Sequence, residues 1–174
     1  MVGSTASPWG PISGLGADAF TANPLLGADA LEPLVAAAAE AGAGVFALVR
    51  TSNPGAADLQ DLETPEGPVH ERLATLVDSF SDRLVGSDGA LSGMGAVVGA
   101  TAPEHIERLR SLMPRAIFLI PGVGAQGGRP EDLGAAFAPG RAGALIAASR
   151  SIAGAKDPAA TAEELRESVW QVSG

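Results

Sequence analysis

The residues whose types and spacing point most directly to chemistry lie in the stretch 116–128, AIFLIPGVGAQGG. An apolar run from Ala116 to Ile120 is stopped by Pro121 and Gly122, and four glycines then fall within the seven positions 122–128. Side chains that small cannot fill a core. They let backbone N–H groups approach a ligand closely, and a nest of such donors suits an anion, phosphate above all. Gln126 is the one side chain in this loop with hydrogen-bonding reach. Arg150 follows the next apolar run, and its guanidinium is suited to bidentate phosphate binding beside a glycine nest.

The same loop contains a decoy. Gly122, Gly124 and Gly127 spell G-x-G-x-x-G after a strand-like run, and Arg150 lies roughly where an NADP-type enzyme places its 2′-phosphate partner. That fingerprint opens a series of βαβ units, yet only one more strand-like segment follows here, so a simple phosphate nest is the better reading. Ser52 has two readings, a cap for the turn at Asn53-Pro54 or a ligand contact. Arg50 reads as half of a structural ion pair rather than a second phosphate ligand. His70 and His105 stand early in amphipathic helices among charged residues and read as solvated. With no third ligand type nearby, neither points to a metal. The sequence shows no Ser/His/Asp arrangement, and with no cysteine it has no thiolate chemistry.

Elements must position these residues, and the composition allows one domain with a sizeable core in 174 residues. A net charge of −9 and a single lysine, Lys156, argue against a nucleic-acid or anionic-membrane surface. The absence of cysteine fits a reducing compartment, no apolar run reaches membrane-spanning length, and the first residues do not read as a signal peptide. A cytoplasmic location is expected.

Residues 1–16 are rich in Pro, Gly and Ser and are expected to be an irregular lead-in. Strands are expected at 19–23, 44–50, 95–100, 116–120 and 143–148. Helices are expected at 29–41, 68–85, 101–112, 130–137 and from Asp157 onward, the last with Leu165, Val169 and Val172 as its buried stripe. Gly42 should end the first helix, and Thr101 with Glu104 should form a capping box. Strands alternating with helices at this spacing mean a parallel sheet, doubly wound or a (β/α) barrel. Polar or glycine-rich stretches follow every strand: Asn23, Thr51 to Asn53, Thr101, Gly122 to Gly128, and Ser149-Arg150. Functional loops after all the strands at one end, with a phosphate site after the last two, are the barrel arrangement. A full eight-unit barrel takes about 250 residues, so 17–174 is expected to be units four to eight of a (β/α)8 TIM barrel, with 1–16 the remainder of unit three.

With these motifs in place, the sequence resembles orotidine 5′-phosphate decarboxylase of the longer bacterial branch, from about Leu15 to the C-terminus. The resemblance rests on ADAFTANPLLG (17–27), GVFALVRTSNPG (44–55), GAVVGATAPE (95–104), FLIPGVGAQGG (118–128) and SRSI (149–152). It implies removal of CO₂ from orotidine 5′-monophosphate (OMP) to give UMP in pyrimidine biosynthesis, without metal or organic cofactor, by a homodimer. It also implies that Ser52 hydrogen-bonds the pyrimidine and Pro121 packs against the base. Gln126 and Arg150 would hold the phosphate, with backbone N–H groups near Gly127 and at 149–151. The VGST at 2–5 aligns Thr5 with a ribose-contacting threonine; a second register, running without gaps from Trp9 through Phe20, displaces it.

The departure from the family lies in the chemistry. Catalysis there depends on an Asp-x-Lys-x-x-Asp motif, and this sequence contains none. The resemblance therefore covers the binding part of the site and not the reacting part. Three readings follow: a decarboxylase chain cut at a late start or an engineered boundary, a half-barrel that binds phosphoribosyl ligands or assembles with a complementary fragment, or another phosphate-binding barrel such as a sugar-phosphate isomerase or aldolase. In the first two, the strands at 19–23 and 143–148 carry open edges. Inner-face residues such as Phe20, Phe46, Val97 and Ile146, or their neighbours, then lose their partners, and self-association through those edges is expected.

Overall fold

The structure is a computed structural model and describes residues 3–174. Where an irregular lead-in is expected, the chain forms an antiparallel hairpin of β1 (Ser4–Ser7) and β2 (Gly10–Ser13), with Thr5 opposite Ile12. Its two-residue turn, Pro8-Trp9, has none of the Asn-Gly or Asp-Gly chemistry that marks a hairpin in sequence. The Ser7 hydroxyl instead closes the turn, donating to the Gly10 carbonyl at 2.6 Å. Trp9 at the tip is 91% exposed.

The body of the chain is a parallel five-stranded sheet of β3 (Ala19–Ala22), β4 (Gly44–Arg50), β5 (Ser92–Val98), β6 (Ala116–Pro121) and β7 (Ala144–Ala147). The strands neighbour one another in chain order without reversal. A doubly wound sheet reverses at a switch point; this winding is that of a barrel, covered here in part. The helices are α1 (Ala28–Ala41), α2 (Ala57–Gln60), α3 (Val69–Asp78), α4 (Ile106–Leu112), α5 (Arg150–Ala153) and α6 (Pro158–Val172).

Local signals explain several boundaries. Leu31, Val35 and Ala38 recur at helical spacing and are buried, and Gly42 ends α1 at φ 64° with its N–H on the Ala38 and Ala39 carbonyls. Asp157 caps α6, accepting the Ala160 N–H at 3.0 Å. Leu165, Val169 and Val172 pack against the core but stay partly exposed. Three expectations are corrected. The helix expected over 68–85 ends at Asp78 and is followed by a 3-10 turn, Ser81–Leu84, whose Ser81 carbonyl accepts from the Ser92 hydroxyl at 2.7 Å. The segment 130–137 splits into two 3-10 turns, Pro130–Asp132 and Gly134–Phe137. Thr101 does not cap its helix: α4 is entered through a 3-10 turn, Pro103–His105, with Ala102 at its head, and the Thr101 hydroxyl reaches the Ser52 carbonyl instead.

The core lies between one face of the sheet and the helices. Val45, Ala47, Val49, Met94, Ala96, Val98, Phe118 and Ile120 meet Leu31, Val35, Val77, Ile106 and Leu109 there, all buried. On the other face, Leu48, Val97, Leu119 and Leu145 share one register row, and Thr21, Phe46 and Gly95 another. Phe46 folds over Gly95, where a Cβ would stand 2.6 Å from its ring. Phe20 and Ile146 belong to the helix-covered face, opposite the expected one, and their neighbours Thr21 and Leu145 take the inner positions. Leu145 is half exposed.

Candidate functional site

The loops after β4, β5, β6 and β7 converge at the C-terminal ends of the strands. Ser52, two residues past β4, is gripped between two glycines. A Cβ on Gly99 would stand 2.7 Å from the Ser52 Cα, and one on Gly122 would stand 2.8 Å from the Ser52 Cβ. The Thr101 hydroxyl donates to the Ser52 carbonyl at 3.1 Å, and the Gly99 N–H to the Arg50 carbonyl at 2.6 Å. Three loops are thus tied together around one serine.

The glycine loop closes on itself. Gly124 N–H donates to the Gly128 carbonyl at 3.0 Å, Gly127 N–H to Gly124 at 2.8 Å, and Gly128 N–H to Gly122 at 3.0 Å. Gly122, Gly124 and Gly127 have positive φ (97°, 76° and 94°), a backbone that L side chains rarely adopt. Gly124 also abuts the Ser151 hydroxyl, which seats the loop on α5. The Gly127 amide, expected among the phosphate donors, is therefore occupied inside the loop. The amides of Ala125 and Gln126 have no acceptor among the described residues.

A cleft of about 170 Å³ lies between this loop and the end of β7, lined by Pro121, Gly122, Ala125, Gln126, Ser149 and Arg150 among others. It brings together three of the expected site residues, Pro121, Gln126 and Arg150. Ser52 is outside its lining but in contact with Gly122; Gly127 is one residue beyond it. The ribose contact expected of the Thr5 side chain falls outside the described residues. A larger cavity of about 400 Å³ lies between β7 and α6, against Leu145, Leu165, Val169 and Trp170. Its floor is apolar; of its two arginines, Arg141 lies over the Trp170 ring and Arg166 is engaged by Glu163, so the smaller cleft, where Arg150 stands beside the glycine loop, is the candidate site.

The arginines divide by role. Arg50 forms the expected ion pair, with Nε and Nη2 on the two Asp61 carboxylate oxygens at 2.8 and 2.9 Å. Arg150 has no carboxylate partner among the described residues. An exposed, uncompensated guanidinium beside unpaired amides is arranged for an anion from solution.

The histidines correct the sequence reading. His70 is 2% exposed, and its ring centre lies 4.5 Å from that of His105. His70 Nδ1 is 2.8 Å from the Gln60 carbonyl, which makes that nitrogen the donor, and 3.2 Å from Asp61 Oδ1. His105 Nε2 is 4.0 Å from the same oxygen. The Arg50 hydrogen bonds hold the Asp61 carboxyl below the usual carboxylate range. Burial, then the neighbouring His70, lowers the His105 imidazole. Asp61 is the third ligand type that the spacing did not reveal, and the three groups offer atoms within 4.8 Å of one another. Both Asp61 oxygens are committed to Arg50, however, and His70 Nδ1 to Gln60. A dication there would face a guanidinium, so the group is an ion-pair cluster rather than a cation cage. The loop DLQDLE gives no periodic signal for Gln60 or Asp61.

The chain can now be set beside known proteins. The family model described as Orotidine 5'-phosphate decarboxylase / HUMPS family matches residues 5–165. The chain is 42% identical over 165 residues to an orotidine 5′-phosphate decarboxylase of Rhodopirellula baltica, covering 95% of itself and 52% of that protein. It is 45% identical over 154 residues to one of Deinococcus radiodurans, covering 87% and 55%. Among solved structures, the OMP decarboxylase of Leishmania donovani superposes with a TM-score of 0.69 at 34% identity, over 91% of this chain and 58% of that one. The chain thus spans about half the length of the curated relatives it matches. None of the described helices is long and apolar enough to cross a membrane. The sequential parallel strands agree with the match: the chain belongs to the orotidine 5′-phosphate decarboxylase / HUMPS family.

Proposed function

We propose that this chain carries the phosphate- and pyrimidine-holding part of an orotidine 5′-phosphate decarboxylase site, a cytoplasmic activity of UMP biosynthesis. Arg150 and Gln126 hold the phosphate of OMP or UMP, helped by loop amides and those of residues 149–151. Pro121 packs against the base, and Ser52 hydrogen-bonds the pyrimidine. The observation that carries the reading is the cleft lined by both Gln126 and Arg150, where, among the described residues, Arg150 has no carboxylate partner and the Ala125 and Gln126 amides have no acceptor.

The residues present bind and orient, and they do not supply the proton. With no Asp-x-Lys-x-x-Asp motif, the only lysine is Lys156, beyond α5. The family resemblance gives no role to a cofactor. The open outer edges of β3 and β7 support association, with a second copy or with a complementary barrel segment.

Titration calorimetry with UMP and uridine tests the binding role. UMP should bind more tightly, and Arg150→Ala should remove most of the difference, since a hydrogen bond to a charged group contributes about 1.5–3 kcal/mol. Equal affinities in folded protein would overturn the phosphate assignment.

A further inference from the structure

Resting on the pyrimidine role proposed for Ser52, we infer that Gln60, Asp61, His70 and His105 form a proton-sensitive latch that positions the Ser52 loop. The connection is direct. Arg50 Nη1 donates to the Thr51 carbonyl at 2.7 Å while its other nitrogens hold Asp61. Gln60 Oε1 accepts the Thr51 N–H at 2.8 Å, and the Gln60 carbonyl accepts from His70 Nδ1 at 2.8 Å. The segment from Thr51 to Asp61 is therefore clasped at its base, one residue from Ser52. His105 enters from the turn after β5, the same connection whose Thr101 holds the Ser52 carbonyl.

Every charged group facing the two imidazoles can be placed. Asp61 and Arg50 come from the β4 side, and Asp61 is already neutralised by Arg50. Glu71, next to His70 on α3, is engaged by Arg108 of α4 at 2.8 and 3.0 Å. Glu104 stands 4.0 Å from His105 Nε2 and is mostly exposed. A proton on His105 places a cation on Arg50's side of the cluster, its ring centre 4.5 Å from that of His70, and the buried-side carboxylate nearest it among the described residues, Asp61, is already committed to Arg50. Repulsion on that scale weakens the clasp rather than the glycine loop, which has no titratable side chain.

The direction in pH follows. His105 takes its proton in the unfolded chain at about 6.5 and at lower pH in the fold. The neutral form thus supports the fold at neutral pH. Its contribution begins to fall as pH drops below the unfolded value, and the loss is complete below the folded one. Asp61 stays ionised throughout, its folded value lying below the ordinary 3.8.

The test uses amide hydrogen exchange on the whole chain, corrected for intrinsic rates, at about pH 7.5 and about pH 5.5. The Thr51 amide, held by Gln60, should lose roughly tenfold protection on acidification, while the Gly124, Gly127 and Gly128 amides hold theirs. In His105→Gln the loss should vanish. Should that variant not fold, Gln60→Ala should leave Thr51 unprotected at both pH values. In parallel, the affinity ratio of UMP to ribose 5-phosphate isolates the pyrimidine contact, because both phosphates titrate alike. The ratio should fall on acidification in the natural sequence and stay level in His105→Gln. A Thr51 amide whose protection is independent of pH would overturn the latch. A ratio of one at neutral pH, with Thr51 still losing protection in acid, would support the latch and overturn the pyrimidine role of Ser52.

Discussion

Gly127 and Gly128 are adjacent and small for different reasons. Gly127 has φ 94° and nothing within 4 Å of a built Cβ, so only backbone strain opposes a side chain. Gly128 would press a Cβ to 2.5 Å from Ala100 Cβ and 2.8 Å from the Gly122 carbonyl, both parts of the site's frame. Gly127→Ala should therefore lose about 1 kcal/mol from left-handed strain. Gly128→Ala should lose about 1–3 kcal/mol from overpacking, and it should weaken UMP binding as well because the loop must lift from β5. Urea denaturation with UMP titration on both variants checks this; equal effects on binding would show that the Gly128 contact does not set the loop's height.

At the level of elements, one buried cation joins α4, β6 and the segment before β7. Arg110 is 6% exposed and has no carboxylate partner among the described residues. It donates to the carbonyls of Met113, Ala116, Ala136 and Gly143 at 2.6–3.0 Å and lies 3.7 Å over the Phe118 ring. Burial lowers its guanidinium to about 10, so it stays charged at neutral pH. Arg110→Met should destabilise the fold by roughly 3 kcal/mol or more, since several buried acceptors lose a charged donor together. Arg110→Lys should rescue little, because one ammonium cannot span four carbonyls on three segments. Thermal or urea unfolding would decide, and a neutral Arg110→Met would mean the carbonyls find other donors. This clamp sits at the opposite end of the strands from the site, where a barrel builds stability rather than chemistry.

At the scale of the molecule, β3 and β7 each pair on one side only among the described residues, and the inner sheet face leaves Leu145 half exposed. The apolar cavity of about 400 Å³ beside β7 adds Trp170, itself 53% exposed. Unpaired edges beside apolar surface are what natural sheets avoid, and each Å² left in water forgoes about 25 cal/mol. Sedimentation at micromolar concentration should show self-association, or a complex when a complementary barrel segment is supplied. A monodisperse, cooperatively folding monomer would contradict this. The same chain should show no decarboxylation of OMP above the uncatalysed rate. Turnover that survives Lys156→Ala would overturn the division between binding and reacting residues.

What the sequence determined by itself is local in origin. Apolar runs closed by polar or glycine-rich stretches specified all five strands of the parallel sheet and their order, because a strand's apolar run and the stretch that stops it are features of short-range composition. Gly42 and Asp157 act within one turn of their helices, and both ends lie where their chemistry puts them. The glycine loop is local in the same way, closing on itself within seven residues, and Gln126 and Arg150 line one cleft beside it. Everything decided by partners distant in sequence was not. Thr101 had a capping partner three residues away, yet its hydroxyl bonds Ser52, 49 positions back. The histidines looked solvated from their charged neighbours, but the packing of α3 against α4 pressed them together over Asp61. Arg110 carries no motif at all, since its acceptors are carbonyls that only chain folding brings to one point. Periodicity reports which face of an element is buried; which polar group meets another across that face is set by the closure of long loops, and the tertiary structure alone contains it.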